Sequence, residues 1–351
     1  MGTQNTAAAL SGSKLAKVNV LVIDPDKRIT DLLRKVLMSL GFGAIYIAGD
    51  GQEGLDTLRK KSVDLVITDW DMTPMDGINF VKYLRTDIKS PTQTMPVIML
   101  TGRAQRRDVE IARDSGMNEF LVKPFTVKTL CDRIILVVEH PRNFILSQGY
   151  TGPDRRRKAT PPQGIDRRRK GKDVKVIAQH DNMKVIRVGN EDITVVNPEF
   201  GIKEKIGFDI SIESIFSPEN VRRAQDIIHN SSEEFLEWVV DDIEQLEEAY
   251  KILESKPGHS REEVDLFLAR ALTLKSQAGM FGFELASRVA ESLNDMCNSS
   301  SKIDPSRLRV ARQHIDALYV IFQRNIQGTG GVIGRDLMQS LGLLTAKFKH
   351  M

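Results

Sequence analysis

The sequence predicts two parts: a doubly wound α/β domain on five parallel strands, and a C-terminal all-α helical bundle, joined by a basic linker and a small β segment. Three observations predict this. Short apolar runs ending near 24, 48, 69, 101 and 123 alternate with helix-spaced apolar residues, the pattern of βα units closing a parallel sheet. The run Leu65-Val66-Ile67 is continuously apolar, as a strand buried on both faces requires. From Ser217 onward the periodicity is helical throughout.

Composition sets the frame. The chain has 351 residues, 41% hydrophobic and 28% charged, enough for two or three domains with cores of their own. A net charge of +3 gives no global bias towards nucleic acid. The two cysteines, Cys131 and Cys297, fall in different predicted domains, which argues for a reducing, cytoplasmic setting without a disulfide framework. The longest apolar run, Ile134 to Val138, is too short to cross a membrane. The N-terminus lacks the basic start and apolar core of a signal peptide.

In chain order, residues 1–17 are small and polar and read as a disordered lead-in. The α/β domain spans 18–140. Its first helix follows from Ile29, Leu32, Leu33, Val36, Leu37 and Leu40 and stops at Gly41. Residues 141–173 read as a flexible basic linker, in which GPDRRRK at 152–158 is echoed by GIDRRRK at 164–170. Between Arg142 and Lys172 ten Lys or Arg face two acids, Asp154 and Asp166, and no aromatic follows Tyr150. Residues 174–216 hold β-like runs, with Gly189-Asn190 suggesting a hairpin, and then a connector. The bundle spans 217–351. Its first long stripe is Phe235, Val239, Ile243, Leu246, Tyr250 and Leu253, backed by an acidic face from Glu237 to Glu248 that the arginine repeats could clasp.

Four strand ends carry the chemistry. Asp24, Asp69, Thr101 and Lys123 each close an apolar strand, and parallel sheets place their sites at such ends. Clustered carboxylates suit a hard divalent cation, and a carboxylate, Mg²⁺ and a lysine together can hold a phosphoryl group for transfer.

The motifs LVID at 21–24, ITDWDMTPMDG at 67–77, VIMLTG at 97–102 and EFLVKPF at 119–125 resemble the receiver domain of two-component response regulators, a flavodoxin-like, CheY-like fold. The resemblance implies that Asp69 is the phospho-acceptor and Lys123 the phosphate-binding lysine. It makes Thr101 and Phe120 the switch pair. It also implies Mg²⁺ held by Asp24, Asp69 and the backbone carbonyl of Asp71. Receivers carry two adjacent acids after the first strand; here the second is Pro25, and Asp26 follows one residue later. Pro25 therefore weakens the expected metal site.

ALTLKSQAGMFGFELA at 271–286 resembles the signature of histidine phosphotransfer (HPt) domains. Lys275 and Phe281-Gly282 fit it. Leu272 stands where the family has its histidine, and Ser276 where it has a glycine. Periodicity points Leu272 away from the stripe Val264, Phe267, Ala271, Leu274 and Ala278, so Leu268 and Leu272 form either an outward apolar patch or core under the terminal helix. His314 reads as a boundary residue.

The expected function is that of a cytoplasmic response regulator in a bacterial phosphorelay, not an enzyme beyond its own phosphorylation and dephosphorylation. Its partners would be a sensor histidine kinase or phosphotransfer protein, and a protein recognised by the bundle. Two alternatives stand beside it: a phosphorylation-independent scaffold with a disabled metal site, and a nucleic-acid-binding regulator using the basic linker. The missing aromatics and the lack of a helix-turn-helix pattern count against the last.

Overall fold

The computed structural model describes residues 13–87, 90, 93–155, 174–180, 183–188, 191–196, 201–255, 258–298 and 303–348. They fall into two compact units, Met1–Leu121 with Val127–Gln225, and Val122–Thr126 with Asp226–Met351.

The first unit is organised by strands β1 (Val20–Ile23), β2 (Ile45–Ala48), β3 (Leu65–Asp69), β4 (Val97–Thr101) and β5 (Glu119–Val122). Their order is β2-β1-β3-β4-β5, with β1 parallel to β2 and β3, and β3 parallel to β4. Every residue of β1 and β4 is buried, which explains why these strands read as unbroken apolar runs. Helices α1 (Lys27–Ser39), α2 (Gly51–Lys60), α3 (Gly77–Thr86), α4 (Arg106–Asp114) and α5 (Val127–Glu139) separate and follow the strands. Asp26, Asp50 and Asp76 cap the first three, each accepting from a backbone N–H of the first turn. The loop from β3 into α3 closes tightly. A Cβ at Gly77 would lie 2.1 Å from the Asp69 carbonyl oxygen, so only glycine fits there.

Three expectations need correction here. Residues 14–17 are not a disordered lead-in: Lys14–Lys17 forms a 3-10 turn that buries Leu15 completely. Nor are residues 141–155 a free linker. Strands β6 (Phe144–Ser147) and β7 (Tyr150–Pro153) join β8 (Val174–His180), β9 (Met183–Val188) and β10 (Glu191–Val196) in an antiparallel sheet ordered β7-β6-β10-β9-β8. Phe144, fully buried, anchors this hairpin against the Arg85 guanidinium, 4.9 Å from its ring centroid. An isolated hairpin is marginal, and pairing β6 to β10 supplies the further strands it needs. The second repeat, GIDRRRK, and residues 156–158 of the first lie outside the described residues.

The connector is the third correction, because it is helical. Short helices α6 (Ile202–Ile206) and α7 (Ile212–Ile215) lead into α8 (Pro218–Asn230). This strap lies along α5. Lys203 pairs with Glu139 at 2.6 Å, the same carboxylate accepts from the Ile212 N–H at 2.6 Å, and the Val127 N–H donates to Gln225. Glu139→Ala is expected to loosen the strap, costing about 1–2 kcal/mol of local stability. Faster amide exchange at 202–216 would register it, and unchanged protection would disprove it.

In the second unit α9 (Ser232–Ser255), α10 (Arg261–Met280), α11 (Glu284–Asn298) and α12 (Pro305–Gln323) pack each on the next, and α12 closes on α9. Helix α13 (Gly331–Ala346) packs on α11 and α12. Phe235 lies at the centre of an aromatic cluster, stacked on Phe281 at 4.6 Å and edge-on to Phe322 at 5.9 Å. The acidic face of α9 is not uniformly solvated: Asp242 is buried, and Glu247 accepts from Arg312 at 3.0 Å and Tyr319 at 2.8 Å.

Candidate functional site

The sheet brings its chemical residues to one edge by register. Ile23 is level with Thr68, so Asp24 and Asp69 follow side by side at the ends of β1 and β3. Asp69 is level with Leu100, which sets Thr101 one residue further along β4. Lys123 follows β5 directly. The strand order reverses between β1 and β3, the place where doubly wound sheets open a crevice.

Burial grades this edge. Asp24 is 5% exposed and Lys123 6%, while Asp69 is half-buried. Thr101 is fully buried, and its Oγ1 accepts from the Arg103 N–H at 3.1 Å. Phe120 is partly buried and packs against the core cluster that includes Met99 and Met117.

The loop after β1 answers the question raised by Pro25. Asp24 Oδ1 accepts from the Asp26 N–H at 2.9 Å. Asp26 itself turns to α1: its Oδ1 accepts from the Arg28 N–H at 2.9 Å, and its two oxygens take Arg28 Nε and Nη2 at 2.9 and 3.0 Å. Both carboxylate oxygens of Asp26 are thus engaged, by a helix cap and a guanidinium. Among the described residues no group of three or more His, Cys, Asp or Glu is gathered for a metal. What remains is two strand-end carboxylates and the Asp71 carbonyl. These are hard oxygens, and they fit Mg²⁺, which commonly takes one or two carboxylates and keeps several waters.

Sequence reasoning missed Arg103, whose guanidinium grips the Asp71 carboxylate with Nε at 3.0 Å and Nη2 at 2.5 Å and lies 5.4 Å from the Trp70 ring centroid. The hydrogen bonds it donates to Asp71 raise its pKa above the ordinary guanidinium value, with the charges of Asp71, Asp108 and Asp69 adding to the effect. Its place two residues after Thr101 was the available signal, but the pairing spans 32 residues and leaves no local trace.

On α10 the signature residues sit on a closed surface. Leu272 is half-buried. Lys275 is only 11% exposed and is held by Glu291 at 2.8 Å. Ser276 is 6% exposed, and its hydroxyl donates to the Leu272 carbonyl at 2.8 Å. Leu268 is 8% exposed, so it belongs to the core rather than to an outward patch. His314 is no boundary residue. It is fully buried, with Nδ1 2.8 Å from the Val310 carbonyl oxygen, Nε2 3.1 Å from Ser292 Oγ, and a pKa that burial pushes below the usual value. It is a satisfied core group, out of reach of a phosphodonor.

Comparison with known proteins agrees with this division. The model of the response regulator receiver domain matches residues 20–135, and that of the Hpt domain matches residues 231–319. Chemotaxis protein CheY-3 of Vibrio cholerae is 34% identical over 122 residues, covering 35% of this chain and 92% of the relative. Chemotaxis protein CheY of Pseudomonas aeruginosa is 31% identical, covering 35% of this chain and 97% of its own. The solved structure of Vibrio cholerae CheY4 covers 33% of this chain and 95% of its own at 30% identity, with a TM-score of 0.31.

Proposed function

This chain belongs to the response-regulator receiver family and carries an Hpt domain after the receiver, and on that footing we propose that it is phosphorylated on Asp69 while its bundle serves as a protein-binding output. The donor would be a sensor histidine kinase or a phosphotransfer protein. The observation that supports the reading is the register that sets Asp24, Asp69 and Thr101 at one end of the sheet, with Lys123 following β5, the strand next to β4.

In the proposed step an Asp69 carboxylate oxygen attacks phosphorus. The donor's bond to phosphorus breaks, and the donor leaves with the electron pair. Lys123 balances the charge of the arriving phosphoryl group, and the Thr101 hydroxyl donates to one of its oxygens. Drawing Thr101 towards the phosphoryl group vacates space that Phe120 can take. Asp24, Asp69 and the Asp71 carbonyl would hold Mg²⁺, which supplies further neutralisation of phosphoryl charge. The bundle relays no phosphate in this reading, because leucine at 272 offers no nucleophile and Lys275 is engaged by Glu291.

One observation favours a second reading. The engagement of Asp26 with Arg28 leaves the metal site one carboxylate short, as a phosphorylation-independent scaffold would tolerate. Among the described residues no helix is long and apolar enough to cross a membrane.

Incubation with a small-molecule phosphodonor and Mg²⁺ separates the two readings. The expected result is an intact-mass gain of one phosphoryl group that is lost in Asp69→Ala and suppressed by EDTA. No gain, under conditions that label an ordinary receiver, would establish the scaffold reading instead.

A further inference from the structure

The loops that follow β3 and β4 are joined by a charge pair beside Asp69. Arg103 Nε lies 3.0 Å from both Asp71 oxygens, Nη2 lies 2.5 Å from Oδ1, and the guanidinium covers Trp70. Both side chains are 43% exposed, so the pair sits at the surface of the site and not in the core. The loops it joins run into α3 and α4.

The Arg103 cation is held by Asp71 and is also within electrostatic reach of Asp108 and Asp69. Phosphorylation would alter this competition. A phosphoryl group on Asp69 brings a charge of about −1.5 to −2 and three strong acceptor oxygens, against one charge and two oxygens on Asp71. Its geometry also suits the planar guanidinium fork, which binds phosphate in bidentate fashion.

We infer that Arg103 is a phosphate-sensing latch, resting on Asp71 and transferring to the phosphoryl group of Asp69. The transfer frees the Asp71 carboxylate, lifts the guanidinium from Trp70 and unties the loop before α4. Helix α4 begins at Arg106 and already shows Val109 and Ile111 to solvent, so the change reaches an exposed apolar surface within a few residues. The inference rests on the Asp69 reading above.

The test uses the full chain with Trp238→Phe, which leaves Trp70 as the remaining tryptophan. Labelling by a small-molecule phosphodonor with Mg²⁺ is followed by intact mass and by Trp70 emission in the same sample. A latch predicts a mass gain accompanied by an emission change. Asp71→Asn removes the competitor and should raise the labelled fraction, whereas Arg103→Gln should lower it and abolish the emission change, each by roughly threefold, the scale of a half-exposed charge pair. In the double variant the gain from Asp71→Asn should vanish, because it acts through Arg103; a plain charge effect would instead be additive. A mass gain with same-sign or absent effects of the two single variants, an additive double variant, or an emission change that persists in Arg103→Gln would overturn the latch and leave the Asp69 reading intact. No mass gain in the parent protein would overturn both.

Discussion

Leu272→His combined with Ser276→Gly is expected to turn an inert bundle into a phospho-acceptor, from no phosphoryl group on the second unit to one per chain. The missing imidazole is the principal defect, since the helix already presents Lys275 one turn later on the same side. Two features of the structure predict that the histidine alone takes up little. Ser276 stands four residues on, with its hydroxyl bonded to the Leu272 carbonyl, and crowds the approach to the new ring. Lys275, which would balance the incoming charge, is drawn to Glu291 at 2.8 Å. The rate of uptake should therefore rise from Leu272→His to the double variant, and again with Glu291→Gln. In this step the imidazole nitrogen attacks phosphorus and the Asp69 carboxylate, or a small phosphodonor, leaves with the electron pair. Acid-labile label on a fragment containing 261–280 is the measurement. A folded double variant that stays unlabelled would show that something besides the absent histidine disables the bundle.

Arg85→Met is expected to remove about 3–5 kcal/mol from the first unit, the range for stranding a buried charged hydrogen-bonding site. Arg85 is fully buried. It donates to the carbonyl oxygens of Gly116, Gln93 and Met95 at 2.8 Å each, and to Asn118 Oδ1 at 3.1 Å. Burial pushes its pKa down to about 9, which still leaves it charged at neutral pH. The penalty falls on what remains behind. Three of the acceptors are backbone carbonyls that no side-chain substitution can remove, and an unsatisfied buried group costs about 1–3 kcal/mol. Lysine should rescue little, because one ammonium cannot serve four acceptors spread over that fork. The Phe144 ring rests on the same guanidinium, so residues 144–153 should lose amide protection first. Urea unfolding of the variant beside the parent gives the magnitude, and a midpoint shift worth under about 1 kcal/mol would refute the account.

Much of the protein was legible because its signals are local. Leu65-Val66-Ile67 announces a buried parallel strand whatever it pairs with. Phe235 to Leu253 announces a helix by spacing alone. The strand-end residues were equally readable, since a parallel sheet delivers the end of every strand to one edge. Leu272 is legible for a different reason: a leucine cannot do the work of a histidine in any fold.

Other features were hidden in principle. Residues 144–153 look like linker because Tyr150-Thr-Gly-Pro has the composition of a turn, and their strand character comes from a ladder to Thr194–Val196, about fifty residues on. Asp26 reads only as the acid that follows Pro25, and its pairing with Arg28 and its cap of α1 are seen in the structure.

The sequence by itself determined the five strands of the parallel sheet and the long helices, which residues close those strands, and that leucine stands at position 272. Only the tertiary structure decided that Arg85 is buried beneath a hairpin, that Lys275 is held by Glu291, and that Arg103 clasps Asp71. Periodicity and capping act over a few residues, within reach of any reading of the chain. Pairings between residues far apart in the chain form only when packing brings the partners together, and they depend on the free energy of the whole fold.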